Sequence, residues 1–217
     1  MPVSYMEINL NALRHNLRVI RQHLPKEVNV LAVVKANAYG HGAVETLRIA
    51  MEEGYTAAAV ARVEEGAKLR EAGFTCPIYV LGLPLPEDML MGVKYDLTLP
   101  VDDTVDLDAF EDIAKGAGKT VEVMMPIDTG MNRIVTHPED VKSFLKKLAG
   151  YPHLHLHGTW THMATADCKD KSAALKQLDR FDEAIAQMPV TDDFVISSAN
   201  SAGAVSNTQL RAHETGA

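Results

Sequence analysis

Short apolar runs alternate with amphipathic helical stretches along the chain, and this order constrains the fold more than any other feature. Helices are predicted between the strands, at 10–24, 43–53, 63–72, 102–115, 138–149 and 171–187, with a short one before residue 96. Strands that are apolar along their length and alternate with helices are typical of a parallel sheet covered by helices. Seven strands are predicted, at 30–34, 56–61, 77–82, 96–101, 120–128, 154–160 and 193–200.

The number of strand–helix units narrows the choice of architecture. A doubly wound sheet and a (β/α)8 barrel both fit the pattern, but seven units within 217 residues favour the barrel. We therefore predict an α/β fold, a TIM-like (β/α)8 barrel, as one domain over residues 1–217. The sequence stops at "HETGA", where an eighth strand should begin, so we expect a barrel truncated near its last strand. In such barrels the active site lies at the carboxyl ends of the strands.

Charge and composition exclude several classes of partner. The formal net charge is −8 and no basic stripe is present, which argues against binding to nucleic acid or to an anionic membrane. No apolar run approaches the roughly 18–20 residues that span a bilayer, and no signal peptide is visible. Cys76 and Cys168 form neither a metal-ligand spacing nor a disulfide framework, so a cytoplasmic location is predicted.

The stretch "LAVVKANAYGHG" (31–42) places a lysine where the first apolar run ends. In a barrel Lys35 would enter the active-site mouth, where desolvation favours a neutral amine that attacks carbonyl groups. Tyr39 and two glycines follow before the next helix, and such a turn suits a phosphate. A strand-end lysine that reaches water and a plain turn with a packed tyrosine are the alternatives left open by these residues alone.

"AVVKANAYGHG" resembles the lysine motif of the alanine racemase family. That resemblance implies a pyridoxal 5′-phosphate (PLP)-binding barrel domain, lacking the C-terminal β domain of the family. It also implies a PLP-dependent amino acid racemase that interconverts L- and D-amino acids through a Schiff base and Cα proton transfer, and a homodimer in the full-length protein. Four further stretches are similar to family motifs in family order: "EINLNALRHNL" (7–17), "DTGMNR" (128–133), "THMATAD" (161–167) and "SSANSAG" (197–203).

The same resemblance implies roles for individual residues. Lys35 would hold PLP and act as one of two acid/base groups on the substrate Cα. Arg133 would donate a hydrogen bond to the phenolic oxygen of the cofactor, and His162 would lie against its ring. Without the resemblance, Arg133 reads as a surface ion-pair partner, His162 as a core histidine and Ser201 as a helix cap. The implied phosphate contacts are Tyr39, Ser201, Gly216 and Ala217.

Three departures from the family pattern change what the site is expected to do. The family usually has a lysine, often carbamylated, seven residues before its arginine, and Pro126 stands there. Glu214 aligns with an arginine that faces the pyridine nitrogen. A carboxylate there favours a protonated ring and a stronger electron sink, as in a racemase of different substrate range or an elimination or decarboxylation enzyme. The second base, a tyrosine of the partner's C-terminal domain, is absent, so we expect the natural protein to continue.

Other functions compete with this reading. His153, His155 and His157 in "HLHLH" share one face of a strand, as in metal-dependent barrel hydrolases, but they begin the strand rather than end it. We therefore predict no metal site. A non-catalytic PLP-carrier barrel fits the length of the chain, although the motifs fit the racemase branch better. A purely structural domain is disfavoured because polar motifs recur at successive strand ends.

Overall fold

The computed structural model describes residues 4, 6–133 and 136–205. No helix within these residues has the length and apolar character needed to cross a membrane. The strands are β1 (Leu31–Val33), β2 (Ala57–Val60), β3 (Ile78–Val80), β4 (Leu99–Pro100), β5 (Val121–Ile127), β6 (Leu154–Thr161) and β7 (Val195–Ser197). The helices are α1 (Leu10–Gln22), α2 (Lys35–Tyr39), α3 (Ala43–Glu52), α4 (Val63–Glu71), α5 (Pro86–Lys94), α6 (Leu107–Gly116), α7 (Val141–Leu148), α8 (Ser172–Ile185) and α9 (Ser201–Val205), with a 3₁₀ turn at Pro138–Asp140.

The strands form a curved wall in which each strand pairs in parallel with the next one along the chain. Two ladders run β1–β2–β3 and β4–β5–β6–β7, and a parallel bridge between Tyr79 and Thr98 joins them. The curvature brings the two ends of the wall near each other, since Leu31 of β1 and Val195 of β7 line the same cavity. The predicted barrel architecture is confirmed by this order of parallel strands.

The two faces of the wall carry different side chains because successive strand residues point to opposite sides. The main core lies between the strands and the surrounding helices, where Phe110, Phe144 and Phe181 of α6, α7 and α8 are fully buried. A smaller apolar cluster, which includes Tyr79 and Met124, fills the inside of the wall. The wall therefore has a packed outer layer and a narrow apolar interior beneath its carboxyl ends.

Several predicted boundaries are wrong, and local chemistry explains two of them. The strand predicted at 96–101 contracts to β4 because Asp96 has a positive φ of 51° and because neither Pro100 nor Pro126 of β5 has an N–H for the ladder. The helix predicted at 102–115 begins only at Leu107, since the Asp102 side chain accepts the Thr104 N–H and forms a turn. The strand predicted at 193–200 shortens to β7, and α9 follows where a turn was expected.

Candidate active site

A cavity of about 440 Å³ opens at the carboxyl ends of the strands. Lys35 reaches it from the end of β1, Arg133 from the loop after β5 and His162 from the residue after β6. Ser197, the last residue of β7, and Asn200 line the cavity at the end of that strand. The structure thus brings three of the sequence-predicted site residues together, above an apolar floor that includes Leu31, Tyr79, Met124 and Trp160.

Lys35 begins a single turn of left-handed helix where the sequence suggested a glycine-punctuated loop. Ala36, Asn37 and Ala38 have φ of 52–54° and ψ of 42–44°, and Tyr39 has a φ of 50°. Left-handed helical backbone costs about 1–2 kcal/mol per non-glycine residue, and runs of such residues persist only where the surroundings enforce them. This strain at the lysine marks the turn as part of a functional site rather than a simple connection.

A carboxylate on α4 holds the beginning of this turn. Glu65 Oε1 accepts the Ala36 N–H at 2.5 Å, and its Oε2 accepts the N–H groups of Ala61 at 2.8 Å and Arg62 at 3.2 Å. One side chain therefore joins the turn after β1 to the end of β2. Glu65 is not among the residues predicted from the sequence, although a Glu four residues after the apolar run 56–61 is a recognisable helix-start signal.

Asp128 shapes the loop that carries Arg133. Asp128 is 2% exposed. Its carboxylate accepts hydrogen bonds from three backbone N–H groups, those of Gly130 at 2.8 Å, Asn132 at 3.0 Å and Arg133 at 2.7 Å. Charge-assisted hydrogen bonds of this kind are about twice as strong as neutral ones. The backbone of the "DTGMNR" motif thus folds around the side chain of its first residue. This fixes the position of the Arg133 backbone, from which the guanidinium extends into the cavity.

His162 is half-buried beside two cations. Burial lowers the pKa of this imidazole below its usual value, and the positive charges of Arg133 and Lys35 lower the pKa further. The imidazole is consequently neutral near pH 7 and adds no third positive charge to the cavity. A neutral ring can lie against an aromatic ligand and accept or donate one hydrogen bond.

A buried glutamine on α8 connects the loops of Arg133 and His162. Gln177 is 5% exposed, and its Nε2 donates to Thr129 Oγ1 at 3.0 Å and to the His162 carbonyl at 3.1 Å, while its Oε1 accepts the Ala164 N–H at 2.9 Å. Sequence reasoning missed this residue. A polar side chain among the apolar positions that α8 buries, beside Leu178 and Phe181, was the available signal.

The predicted phosphate ligands fall into three groups. Tyr39 is 70% exposed and is not among the described residues that line the main cavity. Ser201 lines an adjoining cavity of about 280 Å³, which shares Asn200 and Ala199 with the main one. Gly216 and Ala217 lie outside the described residues, as does Glu214, for which the predicted place faces the pyridine nitrogen, so the roles of these three residues remain predictions.

Pro126 lies on the inner face of β5, in register with Trp160 of β6. It is buried, and Trp160 lines the cavity. An apolar residue thus stands where the family usually has a lysine. The orientation of Arg133 rests instead on the turn around Asp128.

The histidines of "HLHLH" are held by different neighbours at the opposite end of the wall. His153 precedes β6 and makes a 2.6 Å contact with Glu111, whereas His157 stacks on Tyr79 and lies 3.7 Å from Glu122. Among the described residues, no group of three or more His, Cys, Asp or Glu side chains is placed to hold a metal ion. The metal-hydrolase alternative therefore gains no support from this placement.

Comparison with known proteins gives a consistent result. Residues 8–216 match the family model for the N-terminal domain of alanine racemase. Alanine racemase 1 of Bacillus subtilis (strain 168) is 37% identical over 201 residues, which are 92% of this chain and 51% of that protein. The chain spans about half the length of the curated relatives it matches.

Solved structures agree with the sequence matches. An alanine racemase of Clostridium difficile 630 superposes with a TM-score of 0.84 at 34% identity, over 91% of this chain and 55% of that one. A histidine racemase of Leuconostoc mesenteroides superposes with a TM-score of 0.81 at 30% identity, over 91% of this chain and 53% of that one.

Proposed function

The chain belongs to the alanine racemase family, and we propose that it forms the cofactor-binding half of a PLP-dependent amino acid racemase. The observation that carries the proposal is the convergence of Lys35, Arg133 and His162 on one cavity from three separate strand ends. Relatives named for alanine and for histidine share this fold, so we propose an amino acid as substrate without choosing between small and large side chains.

The residues that line the cavity fit PLP. The apolar floor of Met124 and Trp160 suits the flat pyridine ring, and the cavity volume of about 440 Å³ is within the usual range for small-molecule sites. The Lys35 amine would hold the cofactor covalently, and the Arg133 guanidinium would donate to its phenolic oxygen. Ser201 and the wall at Ser197 and Asn200 would supply polar contacts on the phosphate side.

The protein groups have separate tasks in such a reaction. PLP supplies an electron sink for the pair left behind when a Cα proton departs. The Lys35 amine would take the Cα proton on one face. Neutral His162 would line the cofactor site without adding positive charge. The donor for the opposite face is proposed to come from a following domain of a second subunit, because the family resemblance assigns that role to a tyrosine there.

A homodimer follows from this division of the site. Leu83 lines the cavity and is exposed, and Leu85 and Leu90, further along the chain, are more than half exposed, so we propose that this apolar surface meets a second subunit. We also propose a cytoplasmic location, which agrees with the absence of a disulfide between Cys76 and Cys168.

The decisive experiment is reduction of the PLP-loaded protein with borohydride, followed by peptide mapping. We expect the pyridoxyl group on Lys35, and we expect Lys35→Ala to lose both the visible absorbance of the lysine-bound cofactor and the exchange of the Cα proton of L-alanine. Exposed Lys68 on α4 gives the matched control, Lys68→Ala, which should keep the absorbance and the rate of the parent protein.

Attachment of the cofactor to another lysine would refute the assignment of Lys35. A protein that binds PLP at Lys35 but exchanges the Cα proton of neither alanine nor histidine would instead support the carrier alternative. Product analysis with several amino acids would reveal elimination or decarboxylation in place of racemisation.

A further inference from the structure

We propose that Gln177 is a positioning residue that sets the relative placement of Arg133 and His162 in the active site. Its side-chain amide bonds to the loop of each residue, although it does not line the cavity itself. The inference rests on the proposed function for its effect on catalysis, whereas its structural part can be tested without any activity.

Hydrogen-bond counting fixes the orientation of the amide. The Ala164 N–H needs an acceptor and the His162 carbonyl needs a donor, so Oε1 must face Ala164 and Nε2 must face His162. The second Nε2 hydrogen then goes to Thr129 Oγ1 at 3.0 Å. Both amide hydrogens and the carbonyl oxygen are used, and rotation of the amide by 180° would put like groups against each other.

The same count gives a direction to the hydroxyl chain beyond Gln177. Thr161 Oγ1 donates its only hydrogen to the Ile127 carbonyl at 2.8 Å, so it accepts from Thr129 Oγ1 at 2.9 Å. Thr129 in turn accepts from Gln177. A buried chain of hydrogen bonds therefore leads from α8 to the loop after β5, from there to the end of β6, and from β6 to the Ile127 carbonyl of β5.

This network connects the two site residues at short range along the chain. Thr129 follows Asp128, whose carboxylate holds the Arg133 N–H, and the His162 carbonyl belongs to the site histidine itself. Close packing leaves little freedom, since a Cβ added at Gly130 would lie 3.4 Å from Gln177 Cγ. Loss of one amide is therefore expected to loosen both loops together, because buried polar networks act as units.

The test uses Gln177→Leu in the PLP-loaded protein, with amide hydrogen exchange measured for peptides 128–133 and 161–166. We expect exchange to accelerate at least about tenfold in both peptides. We expect kcat for the preferred amino acid to fall by about 10–100-fold with a smaller change in KM, because misplacement of catalytic groups by about 1 Å has effects of that size.

Gln177→Glu keeps the shape and one acceptor but removes both donors. Protonation of the buried carboxyl restores one donor, so the activity of this variant relative to the parent should rise as the pH falls. The matched control is Gln187→Leu, because Gln187 Nε2 also donates to backbone carbonyls, those of Pro138 and Glu183, and is not among the residues that line the cavity. That variant should stay within about twofold of the parent in kcat.

The proposal fails if Gln177→Leu changes exchange in neither peptide or in only one, or if its kcat stays within about twofold of the parent. If Gln177→Leu does not fold, Gln177→Glu decides, and a parent-like pH profile of that variant would overturn the proposal. A parent protein that contains the following domain and still has no activity refutes the proposed function and leaves the exchange result to decide the coupling of the loops.

Discussion

The two sides of the cavity are held in place by different means. On the β1 side, Lys35 starts a left-handed turn whose backbone is strained, largely exposed and held by the carboxylate of Glu65. On the β5–β6 side, Asn132 is the one non-glycine residue with a positive φ in the described part of these loops. The Asp128 carboxylate holds the backbone of the Arg133 loop, and buried neutral groups around Gln177 join that loop to the loop of His162. Each side therefore uses a carboxylate, but on the β1 side it holds a run of unfavourable backbone, whereas on the β5–β6 side a satisfied polar network also links two loops.

The difference suggests how each side serves its residue. In the proposed function the Lys35 amine would both bind the cofactor and take a proton, which needs a fixed backbone and a mobile side-chain end, and a stiff turn that begins at Lys35 would provide the fixed backbone. Arg133 and His162 are expected to act without leaving the cofactor, so their loops can be locked to each other. Three of the expected results concern the turn, namely its dependence on Glu65 and on backbone strain. The last concerns the effect of burial and of the nearby cations on the pKa of His162.

The largest effect is expected for Glu65→Gln. The amide offers one acceptor in place of two and sets an N–H₂ against backbone donors, so the free energy of unfolding should fall by about 2 kcal/mol. Racemase kcat should fall at least about tenfold because Lys35 loses its fixed origin. Urea unfolding and steady-state kinetics measure the two quantities.

The neighbouring residue supplies the control for that experiment. Glu64 forms a surface ion pair with exposed Arg62 at 3.3 Å, so Glu64→Gln should change the free energy of unfolding by less than about 0.5 kcal/mol. Equal losses in the two variants would mean that the turn does not depend on Glu65, and the contrast between the two sides would then disappear.

A smaller effect of opposite sign is expected at Ala36. Glycine adopts a φ of 52° without the Cβ penalty, so Ala36→Gly should raise the free energy of unfolding by about 0.5–1 kcal/mol after the entropic cost of glycine. Ala12→Gly, in right-handed α1, should lower it by about the same amount. Destabilisation by both substitutions would contradict the strain assigned to the turn.

The smallest effect is a pH dependence from His162. In the folded protein, burial and the nearby cations lower the pKa of the His162 imidazole below the usual 6.5, so this imidazole binds a proton more tightly in the unfolded chain. The contribution to stability is complete above pH 6.5 and is lost as the pH falls toward the lowered value. The stability advantage of the parent over His162→Gln should therefore shrink between about pH 7.5 and about pH 5.5 in urea unfolding. An advantage that is constant or grows on acidification would contradict this.

Periodicity and motif spacing predicted the strand order and the barrel because apolar alternation reflects burial, which is local information. The strand-end position suggested Lys35 as a site residue, whereas Arg133 and His162 were indicated by the resemblance to the family motifs. The left-handed turn was not predicted, because "KANAY" contains no glycine and its conformation is enforced by Glu65, nearly thirty residues away. Gln177 was missed for the same reason, since its partners come from two other loops.

Pro126 has a consequence for the way the site responds to its surroundings. A lysine at that place could react with dissolved carbon dioxide. The orientation of the neighbouring arginine would then depend on the carbon dioxide concentration of the solution. Pro126 is buried and in register with Trp160, and its side chain has no amine that could react in this way. The resting state of this cavity is therefore expected to be the same in degassed and in bicarbonate-rich solution.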